Sequence, residues 1–167
     1  MAQGTVKEGK TLVKGNLTAF FDVQTHLISY HFEKIVTPSE ISAIPLWVKA
    51  QLEDGAQPSS VRGSIFDFRN VKKFSIGSTP AAKETSQEGN ELPEVNMVPL
   101  VYLVRNVQQE VTIRMSRVIG LSRPGRRAIF YTQEQALDFI NEWNEKHNRT
   151  LDVPADLLNI WPGMVAN

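Results

Sequence analysis

Cysteine is absent from the 167-residue chain. That excludes a disulfide framework, a thiol nucleophile and any thiolate metal site. Histidine is scarce, at three residues. His26 and His31 stand five apart on one β-rich run, so they point to opposite faces and form no simple metal pair. Neither sign of charge is in excess: Lys and Arg number 18, and so do Asp and Glu. With no base-stacking aromatics among the arginines, nucleic acid is not expected as a partner. No apolar run approaches the ~18 residues that a membrane span needs. The opening MAQGTVKEGKTLVKG carries basic residues without an apolar core, so it does not read as a secretory signal, and a cytoplasmic location is expected. No Ser-His-acid set, Gly-x-Ser-x-Gly elbow, phosphate loop or dinucleotide fingerprint occurs. Nothing therefore asks for an enzyme, a metal or a cofactor.

What is present is ordinary globular material, 41% hydrophobic and 22% charged, long enough for one domain with a sizeable core. Its organising stretch is Val61 to Pro80. Val61 to Phe68 reads as a buried strand ending in Asp67-Phe68-Arg69, then a turn of mixed polarity, then Gly77-Ser78-Thr79-Pro80 as a helix entry. In an open α/β sheet, ligands and partners bind beyond the carboxyl ends of such strands. Asp67 and Arg69 alternate with Phe68, so they point together, into a crevice or as a surface ion pair. Ser78 and Thr79 at a helix N-terminus meet free amides and a positive dipole end, which suits phosphate; serine there also serves as a cap.

Around that stretch the chain alternates strands and helices. Residues 1–16 form a polar arm, expected to be loose. Leu17 to Val23 and Leu27 to Phe32 form a hairpin with a loop longer than two residues. Thr37-Pro38-Ser39-Glu40 is a capping box, opening a helix with Ile41, Ile44, Val48 and Leu52 on one face. Pro45 inside it predicts a kink or a split. A short helix from Ser78 to about Gln87 leads through a loop into the apolar strand Val98 to Val104. A helix opens at Asn106 with Val107, Val111, Met115 and Val118 as its inward stripe. Arg127 to Tyr131 is a short strand, and Thr132 caps a last helix burying Ala136, Phe139, Ile140 and Trp143. Residues 148–167 form an apolar tail, with Leu157, Leu158, Ile160 and Trp161, expected to dock on its own domain or on a second copy. The predicted order is β-β-α-β-α-β-α-β-α: an α/β fold with one mainly parallel five-stranded sheet, its single antiparallel strand at an edge.

Six arginines, Arg105, Arg114, Arg117, Arg123, Arg126 and Arg127, share their span with Glu110 alone. Arg114 and Arg117 lie three apart on one helical face. Arginine forks match carboxylate or phosphate, so these two are candidates to hold an anionic partner or head group.

The chain resembles the SpoIIAA-like group of the STAS superfamily. The resemblance lies in the hairpin FFDVQTHLISYHFEKIVTPSEI, the central strand IFDFRNV, the helix VTIRMSRVI and the run FYTQEQALDFINEW, covering Leu17 to Trp143. It implies a STAS-like α/β domain over residues 17–147, a homodimer, and a non-catalytic regulatory module of the anti-sigma-factor-antagonist kind that binds a protein partner. In such switch proteins a serine in an Asp-Ser-Ser-Gly motif after the central strand accepts phosphate. Here that place reads Ser75-Ile76-Gly77-Ser78, with Ser75 for the aspartate and Gly77 at the acceptor position. More distant members hold lipid-like molecules. The alternative expectation is therefore a binder or sensor of a small apolar, acidic-headed ligand, held between the sheet and the 106–119 helix by Arg114 or Arg117.

Overall fold

The computed structural model describes residues 11–22, 25–92, 95–116 and 125–149. Its sheet runs in chain order: β1 (Thr11–Lys14), β2 (Leu17–Asp22), β3 (Leu27–Val36), β4 (Gly63–Phe74), β5 (Leu100–Leu103) and β6 (Arg127–Phe130). The first two pairs are antiparallel and the remaining three parallel. Helices α1 (Pro38–Glu53), α2 (Ser78–Glu91), α3 (Val107–Met115) and α4 (Gln133–Lys146) follow β3, β4, β5 and β6 in turn.

The expected alternation and neighbour order hold, but the sheet has six strands rather than five. Thr11–Lys14, assigned to a loose arm, pairs with β2 from Thr11↔Phe20 to Lys14↔Leu17, and Leu12 packs against the core. The antiparallel strand β2 is thus flanked on both sides, and β1 takes the edge. Residues 1–10 lie outside the described residues. So does the stretch 150–167, on which the docking tail was expected.

Strand alternation sorts the core into two layers. Tyr30, Phe32, Phe68 and Tyr102 lie on one face under Ile41, Ile44 and Trp47 of α1, Ala81 of α2 and Ile113 of α3. Leu27, Ile65, Val101 and Leu103 lie on the other, under Ala136 and Ile140 of α4. Helix α4 follows its sequence pattern: the Thr132 hydroxyl accepts the Gln135 amide, Ala136, Ile140 and Trp143 are buried, and Phe139 packs at the margin.

Helix α1 runs unbroken through Pro45, so the predicted split does not occur; Pro45 is buried within it. Its N-terminus is held by a buried carboxylate. Glu40 accepts the Thr37 amide at 2.8 Å, as a capping box requires, and also the Asn16 amide of the β1–β2 turn at 2.5 Å. A carboxylate in the first helical turn also gains from the dipole. Helix α2 is longer than predicted, continuing through Gly89 to Glu91.

Candidate functional site

Asp67 and Arg69 are not at the end of their strand. β4 continues to Phe74, with register shifts against β3 between His31 and Glu33 and between Lys34 and Ile35. Those bulges break the alternation, which is why the polar run after Phe68 reads as a turn. β5 reaches only as far as Leu103, opposite Asp67, so beyond this rung β4 is paired with β3 alone. Asp67 and Arg69 alternate with the core residue Phe68 and so stand on the α4 side of the sheet. Arg69 donates from Nε to Oδ1 at 2.9 Å and from Nη2 to Oδ2 at 2.7 Å, and its amide donates to Oδ1 at 3.0 Å. His31 Nδ1 lies 3.6 Å from Oδ2 and its ring stacks on Phe20. Burial works against ionisation of Asp67, but the contacts from His31 and Arg69 outweigh it and hold the carboxyl well below the usual carboxylate range.

Ser75, Ser78 and Thr79 stand at the start of α2, on the opposite side of the sheet, so the expected site residues do not form one surface. Gly77, not Ser78, is the helix N-cap, with φ of 88°, a left-handed conformation that suits glycine. The residue at the resemblance's phospho-acceptor position is therefore fixed by backbone geometry. Ser78 is buried, and its hydroxyl donates to the Ser75 carbonyl at 2.7 Å. Thr79 is exposed.

The arginine cluster also divides. Arg114 is exposed and donates to Glu110 at 2.8 Å, one turn back along α3, and Tyr131 donates to the same carboxylate. Arg117, like Val118, lies outside the described residues. The predicted inward stripe of α3 is overturned: Val107, Val111 and Met115 are exposed, and Gln109 and Ile113 are buried instead. The bulged strand supplies the reason. Where β5 no longer reaches β4, the carbonyls of Phe68 and Val71 need donors, and Gln109 Nε2 serves both, at 2.9 and 2.8 Å. Satisfying buried backbone groups outweighs burying two more valines.

A cavity of about 210 Å³ lies between the sheet and helices α1, α2 and α3, wider than the space under the 106–119 helix that the alternative expectation assigns to an apolar ligand. Its floor is a run of flat rings. Tyr30 and Phe66 stack at 4.3 Å between centroids, Phe32 and Phe68 at 4.8 Å, and Phe66 meets Tyr102 at 5.4 Å. Ile41, Ile44 and Val48 of α1, Ala82 and Gly89 of α2 and Ile113 of α3 make the roof, and the exposed Ala56 and Gln57 stand at its rim. One wall is different. Arg126 and Arg127, both buried, line it. Arg126 donates to the carbonyls of Val98 and Val95, both at 2.7 Å, and to Asn90 Oδ1 at 2.9 Å. Arg127 donates to Ser86 Oγ at 3.0 Å, Tyr102 Oη at 3.3 Å and Asn90 Oδ1 at 3.1 Å. The sequence held one clue to Arg127: pairing places it opposite Leu100, and Ile129 opposite Tyr102, on the ring-bearing face.

Among the described residues no cluster of three or more His, Asp and Glu side chains could hold a metal ion, and no helix is long and apolar enough to cross a membrane.

No family model matches the chain, and no curated protein matches it. Among solved structures it is similar to an uncharacterized protein of the DUF3478 family, with a SpoIIAA-like fold, from Shewanella loihica PV-4. The two share 12% identity over 78% of this chain and 90% of that one, with a TM-score of 0.49. The likeness concerns the fold and bears on neither partner nor activity.

Proposed function

We propose that the protein binds a small apolar molecule in the cavity between the aromatic floor of the sheet and helices α1 to α3. The observation that carries this reading is the cavity itself, about 210 Å³ lined by aromatic and aliphatic side chains. A space of that size in a close-packed interior costs the protein dispersion contacts and cavity surface, and an apolar occupant restores them. An engineered apolar cavity of ~150 Å³ takes up benzene. A protein-interaction role through Asp67, Arg69, Ser78 and Thr79 draws less support, because the sheet separates the first two from the last two.

Native mass spectrometry of freshly purified protein tests for a retained small molecule, and titration with octan-1-ol tests the stripped protein. Binding raises the melting temperature with ligand concentration. Ala82→Phe, which fills the cavity from α2, is expected to abolish that rise. An octan-1-ol response equal in both proteins, or absent from the wild type, overturns the reading.

A further inference from the structure

The cavity is apolar over floor and roof, yet one wall carries two guanidinium groups, those of Arg126 and Arg127. A charged group is seldom placed against an otherwise hydrophobic space without a consequence for what enters it. Arg126 is turned mainly to the backbone, holding the Val95 and Val98 carbonyls as well as Asn90 Oδ1, which fixes the segment leading into β5. Arg127 is turned to side chains on the cavity wall. Its Nη1 donates to two hydroxyls, Ser86 Oγ from α2 and Tyr102 Oη from β5.

Both hydroxyls can act as donors as well as acceptors. Each can turn its own hydrogen to an incoming oxygen, and where it gives up the hydrogen bond that it accepts from Arg127 it frees a guanidinium N–H as well. One corner thus offers guanidinium N–H together with two O–H donors. The Tyr102 phenol stays protonated and able to donate: burial pushes its pKa up, and the nearby Arg127 and Arg126 only partly offset that. Planar guanidinium and a pair of flanking hydroxyls match a planar two-oxygen anion, which an arginine fork recognises through paired hydrogen bonds.

We infer that the natural ligand is a small monocarboxylate, its carboxylate held by Arg127, Tyr102 and Ser86 and its apolar body lying on the rings of Phe66 and Tyr30. This rests on the cavity reading above. Scaling from the ~150 Å³ cavity that takes benzene, the ligand as a whole has roughly eight to ten non-hydrogen atoms, the size of octanoate rather than of a long-chain lipid. The head group meets Arg127 and not the exposed Arg114, which is paired with Glu110 on the surface of α3.

Calorimetric titration of the full chain with octanoate and with octan-1-ol at neutral pH separates the possibilities. The two probes share a chain and differ at the head. Octanoate is expected to bind about tenfold tighter or more, the effect of one charge-assisted hydrogen-bonded contact. Tyr102→Phe keeps the ring and removes one donor, so it should weaken octanoate several-fold and leave octan-1-ol unchanged. Arg127→Gln should remove the preference for the acid. If that variant fails to fold, the wild-type ratio and Tyr102→Phe still decide. Equal affinity for acid and alcohol in the wild type overturns the carboxylate assignment and leaves the cavity reading standing. Binding of neither overturns both.

Discussion

The two faces of the sheet bury different amounts of apolar material and fill their space differently. Under α4 the buried core is aliphatic, Leu27, Ile65, Val101 and Leu103 against Ala136 and Ile140, with Phe130 and Phe139 at its margin. Branched side chains interdigitate, and the chain makes room for them. A Cβ at Gly63 would come within 2.8 Å of Ile140 Cδ1, so glycine at the start of β4 lets α4 lie close. The opposite face is paved with rings stacked on one another, and three helices span it with the cavity beneath them. Flat plates satisfied by their own stacking offer few recesses for a helix to fill. A layer can be apolar and well ordered without being full, and it is the unfilled layer that the proposed ligand would occupy.

Truncation on the filled face should therefore have the largest effect. Ile140 is fully buried, wedged against Gly63. Ile140→Ala is expected to cost about 2–5 kcal/mol, measured by urea denaturation, because the lost contacts come with a new void. A loss under about 1 kcal/mol would mean that α4 collapses into the gap, and that the faces do not differ in packing as described.

A smaller effect is expected where the filled face ends, at Asp67. Its folded pKa is depressed, so its contribution is present above the unfolded carboxyl value near ~3.9 and is lost as pH falls through the folded value. Arg69 is 38% exposed, and solvent screening reduces what the pair is worth. Asp67→Asn should lower stability by about 1 kcal/mol at pH 7, with the gap to wild type narrowing below about pH 4. A gap that persists unchanged at pH 3 would assign the loss to packing, not to the charge.

These differences also explain how much was legible beforehand. The cap and stripe of α4 could be read because one periodicity accounts for Ala136, Ile140 and Trp143 with no competitor. Helix α3 carries two stripes of the same period, Val107–Val111–Met115 and Gln109–Ile113. Apolarity favours the first, but the unmet carbonyls of Phe68 and Val71 select the second. Those carbonyls need a side-chain donor only because β4 outruns β5, a relation between distant segments that no local pattern carries. The length of β4 was hidden in the same way, since bulges interrupt the alternation that marks a strand. The cavity had no signature in the residue pattern, because an empty volume corresponds to no residue; only the resemblance pointed to a ligand space beside the 106–119 helix. Arg126 and Arg127 share a span with four other arginines and no local feature sets them apart, although strand pairing places Arg127 over the ring floor.

The smallest effect separates the arginine that was expected to bind from the one that lines the cavity. Arg114 is more than half exposed, and its partner Glu110 sits one turn away on the same helix. Tyr131 and Arg114 together lower the Glu110 pKa by hydrogen bonding to the carboxylate at the protein surface. Removing Arg114 leaves the Tyr131 hydrogen bond in place and opens no cavity, because the side chain lies over solvent. Arg114→Ala should therefore shift the melting temperature by under about 2 °C, as is usual for an exposed charge. It should also leave octanoate affinity unchanged. A several-fold loss of octanoate binding in this variant would move the head group from the Arg127 wall to α3. The ligand would then enter along the exposed face of that helix, and the distinction between a filled face and a receptive one would have to be redrawn around α3.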